Sequence, residues 1–182
     1  MNRDLVLRRE RPDDLEPTRA LHDLAFGVPE GAEHSLETRI LDRLRLEGDV
    51  LDALTLVADL HGEVVGHLVC SRATMGEGPS VALGPIAVHH DHQGQGIGSA
   101  LVAAVLVTAD QGGEPSVVLL GDPGWYAHFG FRTAAEHGIG SPGPWADRYF
   151  QVRPLQAWRP ELAGAFRYPP AFDLDIEQAE QA

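Results

Sequence analysis

In the run Gln93-Gly94-Gln95-Gly96-Ile97-Gly98, glycine stands at every second position, between a strand-like stretch, 80–88, and a helix-like stretch, 99–110. Glycine tolerates backbone conformations closed to other residues and lets the chain approach a ligand closely. A helix that starts at such a turn aims its unpaired N–H groups and the positive end of its dipole into the turn. Strand, tight turn and helix in this order read as an anion-binding loop, with a phosphate or pyrophosphate as its natural occupant.

The composition narrows how that anion is held. All 14 basic residues are arginine, lysine is absent, and the formal charge is −13. This disfavours a nucleic-acid partner, because binding to a phosphate backbone needs a basic face. Backbone N–H groups, the helix dipole and nearby arginines must then carry the anion in place of a Walker lysine. An acidic surface elsewhere would draw in a cationic co-substrate. At 182 residues the chain suits one domain with an ordinary core. Its N-terminus is charged from the start, unlike a signal peptide, and no apolar run nears the roughly 20 residues that span a bilayer. A cytoplasmic protein with no membrane association is expected. The lone cysteine, Cys70, cannot form an intrachain disulfide and reads as a small buried residue.

Along the chain, 5–8 reads as a strand and Pro12-Asp13-Asp14 opens an amphipathic helix to about Phe26. Leu36, Ile40, Leu41 and Leu44 recur at helical spacing until Gly48 stops a second helix. Stretches 54–60 and 64–71, joined by His61-Gly62-Glu63, read as a hairpin, and 80–88 as the third strand of a meander. The apolar run 116–120 reads as a buried strand lying parallel to 80–88 across the intervening helix. A short helix over 125–129, a short strand after Gly130-Phe131, a loop over 136–147 and a strand over 149–153 follow. From Asp173 the chain is acidic and reads as a tail, leaving 1–172 as the domain.

Three motif readings compete for the loop. A P-loop needs a lysine followed by serine or threonine, and neither follows here. A dinucleotide fingerprint nearly fits the spacing, with Asp122 where a ribose-binding acid would stand, but an antiparallel meander precedes it in place of repeated strand-helix-strand units. The third reading fits better: Gly84-Pro85-Ile86-Ala87-Val88-His89-His90-Asp91-His92-Gln93-Gly94-Gln95-Gly96-Ile97-Gly98-Ser99-Ala100-Leu101 resembles the acetyl-coenzyme A signature of the GNAT N-acetyltransferases. The later stretch Leu120-Gly121-Asp122-Pro123-Gly124-Trp125-Tyr126-Ala127-His128-Phe129-Gly130-Phe131 resembles the family's second motif, a tyrosine five residues before the phenylalanine of a Gly-Phe pair. Its Gly-Asp-Pro lead-in and the ending Tyr168-Pro169-Pro170-Ala171-Phe172 are similar to the bacterial YhbS-like subgroup.

The resemblance implies a single-domain α/β (α+β) acyltransferase fold with a mixed, mostly antiparallel sheet flanked by helices. It also implies acetyl-CoA as co-substrate. Ile86, Ala87 and Val88 would offer backbone groups to the pantetheine arm, and Gln93, Gly94, Gln95, Gly96, Ile97, Gly98 and Ser99 would cradle the pyrophosphate. Tyr126 would protonate the departing thiolate after an amine attacks the thioester directly, so Cys70 need not be a nucleophile. The asparagine that many members carry after the fifth strand is replaced here by Gly121-Asp122-Pro123, and His90 stands where many have proline.

Plainer readings stand beside these. Tyr126 is also a natural core aromatic among Trp125, Phe129 and Phe131. Glu37 is either a general base facing the acceptor or part of a solvated helix face. His89, His90 and His92 with Asp91 read as a solvated turn and not as a metal site, and Asp122 as a helix cap. The acceptor, a small-molecule or protein amine, would meet 26–37 and 136–147. The segment 158–172 offers a candidate arm for a homodimer. A CoA-binding sensor without catalysis and a dinucleotide enzyme are the competing functions.

Overall fold

The apolar runs on either side of His61-Gly62 build a meander in which the strand before the hairpin turn is shorter than the sequence suggests and the two after it are longer. In the computed structural model, which describes residues 4–174, β1 (Leu5–Arg9), β2 (Leu56–Leu60), β3 (Glu63–Met75) and β4 (Gly78–Val88) follow one another in the sheet. The hairpin turn falls on His61 and Gly62, both at positive φ, the geometry that matches strand twist in two-residue turns. The stretch between the expected strands 64–71 and 80–88 is itself mostly strand, because Ala73 and Met75 point into the core while the turn needs only Gly76 and Glu77.

The remaining strands are β5 (Ser116–Leu120), β6 (Arg132–Thr133), β7 (Phe150–Pro154) and β8 (Phe166–Arg167). The sheet runs β1-β2-β3-β4-β5-β7-β6, with β8 on β3, and β4 and β5 pair in parallel. It is the mixed, mostly antiparallel sheet that the motifs imply. The helices are α1 (Leu15–Phe26), α2 (Leu36–Glu47), α3 (Ile97–Gln111) and the single turn α4 (Pro123–Tyr126). A 3₁₀ turn, Pro12–Asp14, leads into α1, and Ser35 caps α2 by accepting from the Thr38 N–H at 3.2 Å.

The chain resolves into two compact units. One holds residues up to Cys70 together with Gly84–Val105, and the other holds Ser71–Leu83 with the chain from Leu106 onward. In the first, α3 lies close on β3: a Cβ built on Gly66 would stand 2.9 Å from Ile97 Cγ2 and 3.1 Å from Ala58 Cβ. Gly66→Ala should therefore displace the first turn of α3 and lower stability by about 1–3 kcal/mol in denaturant unfolding. An unchanged midpoint would show that the helix yields without cost.

A buried polar chain crosses the same unit. His22 Nε2 lies 2.9 Å from His67 Nδ1, His67 Nε2 is 3.2 Å from Glu10 Oε1, and Arg45 donates to both Glu10 Oε1 and Thr18 Oγ1. The tautomers follow from placing the His67 proton on Nε2, which faces the Glu10 carboxylate at 3.2 Å without meeting hydrogen-bond geometry. His67 Nδ1 then accepts from His22 Nε2–H, which leaves His22 Nδ1 as an unpartnered acceptor. Burial, reinforced by His67 and Arg45, holds His22 well below the ordinary imidazole range. Burial also lowers His67, outweighing the upward pull of Glu10. Burial pushes Glu10 up, but His67 and Arg45 outweigh it and hold the carboxyl below its usual range.

The second unit has its own core around Phe150, Val152, Val118, Ile139 and Phe166. In this unit the segment 158–172, the candidate homodimer arm, is tied to its own chain: Phe166 and Arg167 pair with Met75 and Thr74, and Tyr168 packs against Phe166 and Phe172 at 4.8 and 4.7 Å. The acidic tail expected from Asp173 lies, from residue 175 on, outside the described residues. Among the described residues no helix is long and apolar enough to cross a membrane.

Candidate functional site

The glycine loop overlaps the helix it was expected to precede. α3 begins at Ile97, and its first intrahelical bond runs from Ala100 N–H to Gly96 C=O at 2.9 Å. The N–H groups of Ile97, Gly98 and Ser99 therefore have no intrahelical acceptor, as in any first helical turn, and the 15-residue helix places its positive end there. Gly94 and Gly96 stand at φ 72° and 85°, and a Cβ on either would meet nothing within 4 Å. Conformation, not space, is what requires glycine at these two positions.

The two glutamines of the loop serve the fold. Gln93 Nε2 donates to the Val88 carbonyl at 3.0 Å, and Gln95 Nε2 to the Asp91 carbonyl at 3.1 Å, so both brace the turn while Gln93–Gly96 stay exposed. Before the loop, the parallel pairing of β4 with β5 covers only Val81–Ala82 opposite Val117–Val118. Ile86, Ala87 and Val88 lie beyond that pairing, near the open end of the strand. Within the turn between strand and loop, His90 Nε2 is 3.2 Å from Asp91 Oδ1, and His89 Nδ1 accepts from the Asp91 N–H at 3.3 Å. Atoms of His89, His90 and Asp91 come within 4.8 Å of one another, with His90 and Asp91 exposed. Hydrogen bonds within the turn, His92 N–H to the His89 carbonyl at 2.8 Å among them, hold this arrangement.

Tyr126 belongs to the other unit. Asp122 caps α4 by accepting the Gly124 N–H at 2.9 Å, and the tyrosine closes that single turn. Its ring lies directly on the backbone of Gly121, where a Cβ would stand 2.3 Å from Cε2, and packs edge-on against Trp125 at 4.6 Å and Phe131 at 5.7 Å. It is only 7% exposed, and burial pushes its phenol up to about 12. Glu37 sits half-buried in the first turn of α2, two residues past the Ser35 cap.

Sequence reasoning missed the clamp that fixes the α1–α2 connection. Asp23 accepts from the Ser35 N–H and from His34 Nδ1, each at 2.8 Å, while Arg19 approaches His34 Nε2 at 2.8 Å. Since arginine can only donate, Nε2 accepts and Nδ1 carries the proton. Burial alone would raise Asp23, but these hydrogen bonds bring it down to about 2. No sequence signal marks such a cluster, because its members come from a helix, a connecting segment and a cap.

A loop of N–H groups without intrahelical acceptors at a helix start, on a strand that outruns its parallel partner, fits the acetyl-CoA signature that the motifs resemble. The comparisons agree. The profile described as Acetyltransferase (GNAT) domain matches residues 52–133. The uncharacterized N-acetyltransferase YhbS of Escherichia coli (strain K12) is 34% identical over 154 residues, covering 83% of this chain and 87% of the relative. The crystal structure of E. coli YhbS in complex with CoA superposes with TM-score 0.82 at 30% identity over 93% of this chain and 92% of that one. A GNAT family acetyltransferase from Brucella melitensis in complex with acetyl-CoA gives TM-score 0.75 at 30% identity over 94% of this chain and 100% of that one. The chain belongs to the GNAT acetyltransferase family.

Proposed function

We propose that this protein transfers the acetyl group of acetyl-CoA to a primary amine by direct attack. The observation that carries the reading is the start of α3: three N–H groups without intrahelical acceptors, presented by a glycine turn in a chain with no lysine. The residues present fit a pyrophosphate, since Gly94–Ser99 offers backbone donors and the dipole of a long helix. Gln93 and Gln95 brace the turn through their side chains and would offer the pyrophosphate their backbone groups. Ile86–Val88 would bind the pantetheine arm through backbone groups.

In the reaction a C–N bond forms as the thioester C–S bond breaks; the bound ammonium gives up two protons, one to a base before attack and one as the C–N bond forms, and the sulfur gains one. Tyr126 is proposed as the donor at sulfur. Burial supports this in one respect and limits it in another: a phenol near 12 stays protonated throughout the working range, yet it is too weak an acid to protonate a relaxed thiolate alone. Transfer therefore has to accompany C–S cleavage and loss of the amine proton, with the Tyr126 hydroxyl passing a proton on. Glu37 is the proposed base that takes the ammonium's first proton and frees the amine for attack, its carboxylate carried on the first turn of α2.

Tyr126→Phe should lower turnover about 10²- to 10⁴-fold, the usual worth of a positioned acid, while acetyl-CoA affinity holds within a factor of two or three. Steady-state kinetics and calorimetry check the two halves. Unchanged turnover across the pH range would remove Tyr126 from the chemistry and return it to the core.

A further inference from the structure

The unit that carries Tyr126 contains a cavity of about 430 Å³ walled by Leu120, Gly121, Asp122, Trp145 and Tyr149. Two aromatic rings, an aliphatic floor and one carboxylate, with no cationic side chain in the wall, form a lining that attracts an ammonium on an apolar body. Each wall is fixed in place. The Trp145 ring folds onto Gly143, where a Cβ would stand 2.3 Å from Cζ3, and meets Tyr168 edge-on at 6.4 Å. The Tyr149 carbonyl accepts the Gly121 N–H at 2.9 Å, and its ring already carries the Arg148 guanidinium at 4.5 Å. Asp122 uses Oδ1 to cap α4. Among the described residues, no ion pair engages its carboxylate.

Gly121 is common to the cavity and to Tyr126, whose ring rests on it. One glycine thus carries the Tyr126 ring and part of the cavity wall. We infer that it is the acceptor subsite, and that the acceptor is a primary alkylammonium with a compact apolar or aromatic body, held between Trp145 and Tyr149 with its charge at Asp122. The inference rests on the acetyl-transfer reading. The sequence pointed to 136–147 as an acceptor wall, and Trp145 is the residue of that stretch which lines the cavity, joined by Asp122 and Tyr149 from outside it.

Titration of the full-length, CoA-saturated protein with benzyltrimethylammonium tests the inference, because a quaternary cation fits the site and cannot be acetylated. Saturable binding is expected, at least tenfold weaker in Trp145→Ala and in Asp122→Asn, with the neutral benzyl alcohol also at least tenfold weaker. Asparagine preserves the helix cap, and an unchanged CoA affinity in each variant verifies the fold. Absence of saturable binding, or binding that both variants leave intact, overturns the inference. If the cation binds through both residues but no amine is ever acetylated, the cation site stands and its role as an acceptor subsite falls with the acetyl-transfer reading.

Discussion

Arg45→Met should destabilise the protein by roughly 3 kcal/mol, the scale on which removing one member of a buried ion pair acts. Methionine keeps the aliphatic length of the side chain, so the loss isolates the charge. Glu10 would be left mostly buried beside His67, and Thr18 Oγ1 would lose its donor. Urea unfolding would show a lower midpoint with an unchanged slope, and a shift below about 0.5 kcal/mol would mean that water reaches Glu10 in place of the guanidinium. The same cluster sets an acid sensitivity. His22 and His67 are both held below their ordinary range, so the folded state binds fewer protons than the unfolded chain. Their contribution is fully present above the unfolded imidazole value near 6.5 and is lost as the pH falls below it. Glu10, held low as well, adds a loss further down, below about pH 4.3. The midpoint at pH 5.5 should therefore lie below that at pH 7, and an equal or higher value would contradict the assignment of neutral imidazoles.

The double substitution Gly94→Ala, Gly96→Ala should weaken acetyl-CoA binding roughly 10- to 100-fold. Alanine finds open space at both positions, but each φ lies in the left-handed region, where a Cβ costs about 1–2 kcal/mol. The loop relieves that strain by turning its peptide groups, and the N–H groups before α3 lose their common aim. At 1.4 kcal/mol per factor of ten, the strain of one or two residues spans the stated range. Calorimetry with acetyl-CoA measures it, alongside a melting curve to show that the fold survives. Affinity equal to wild type would place the donor's phosphates elsewhere.

What the sequence made legible is what local patterns encode. The loop is readable because its glycines, the strand before it and the helix after it are contiguous. The hairpin is readable because His61-Gly62 punctuates two apolar runs, and the cap by Asp122 because Pro123 follows it. β3 and β4 exceed their expected lengths because glycine and proline near the turn suggested irregular structure, whereas burial of Met75 and pairing with β8 hold the strand to its end. The place of 158–172 in the fold was not legible either: its aromatics are scattered, and only packing puts Phe166 and Tyr168 against Phe150. The His22–His67–Glu10–Arg45 chain was invisible, since its members come from α1, β3, the end of β1 and α2, and no spacing rule links them. Of the site, the donor loop and Tyr126 were named from motifs. The bracing role of Gln93 required coordinates, because a glutamine side chain can equally reach a ligand or its own backbone.

The most direct test mixes the protein with acetyl-CoA and a panel of primary amines, and follows free thiol and acetylated amine together by mass spectrometry. Amine-dependent release of CoA, matched mole for mole by an acetylated product and lost in Tyr126→Phe, is the predicted result. Tight binding of acetyl-CoA with no amine in the panel raising thiol release above background would contradict it, and would identify a CoA-binding sensor built on the same fold.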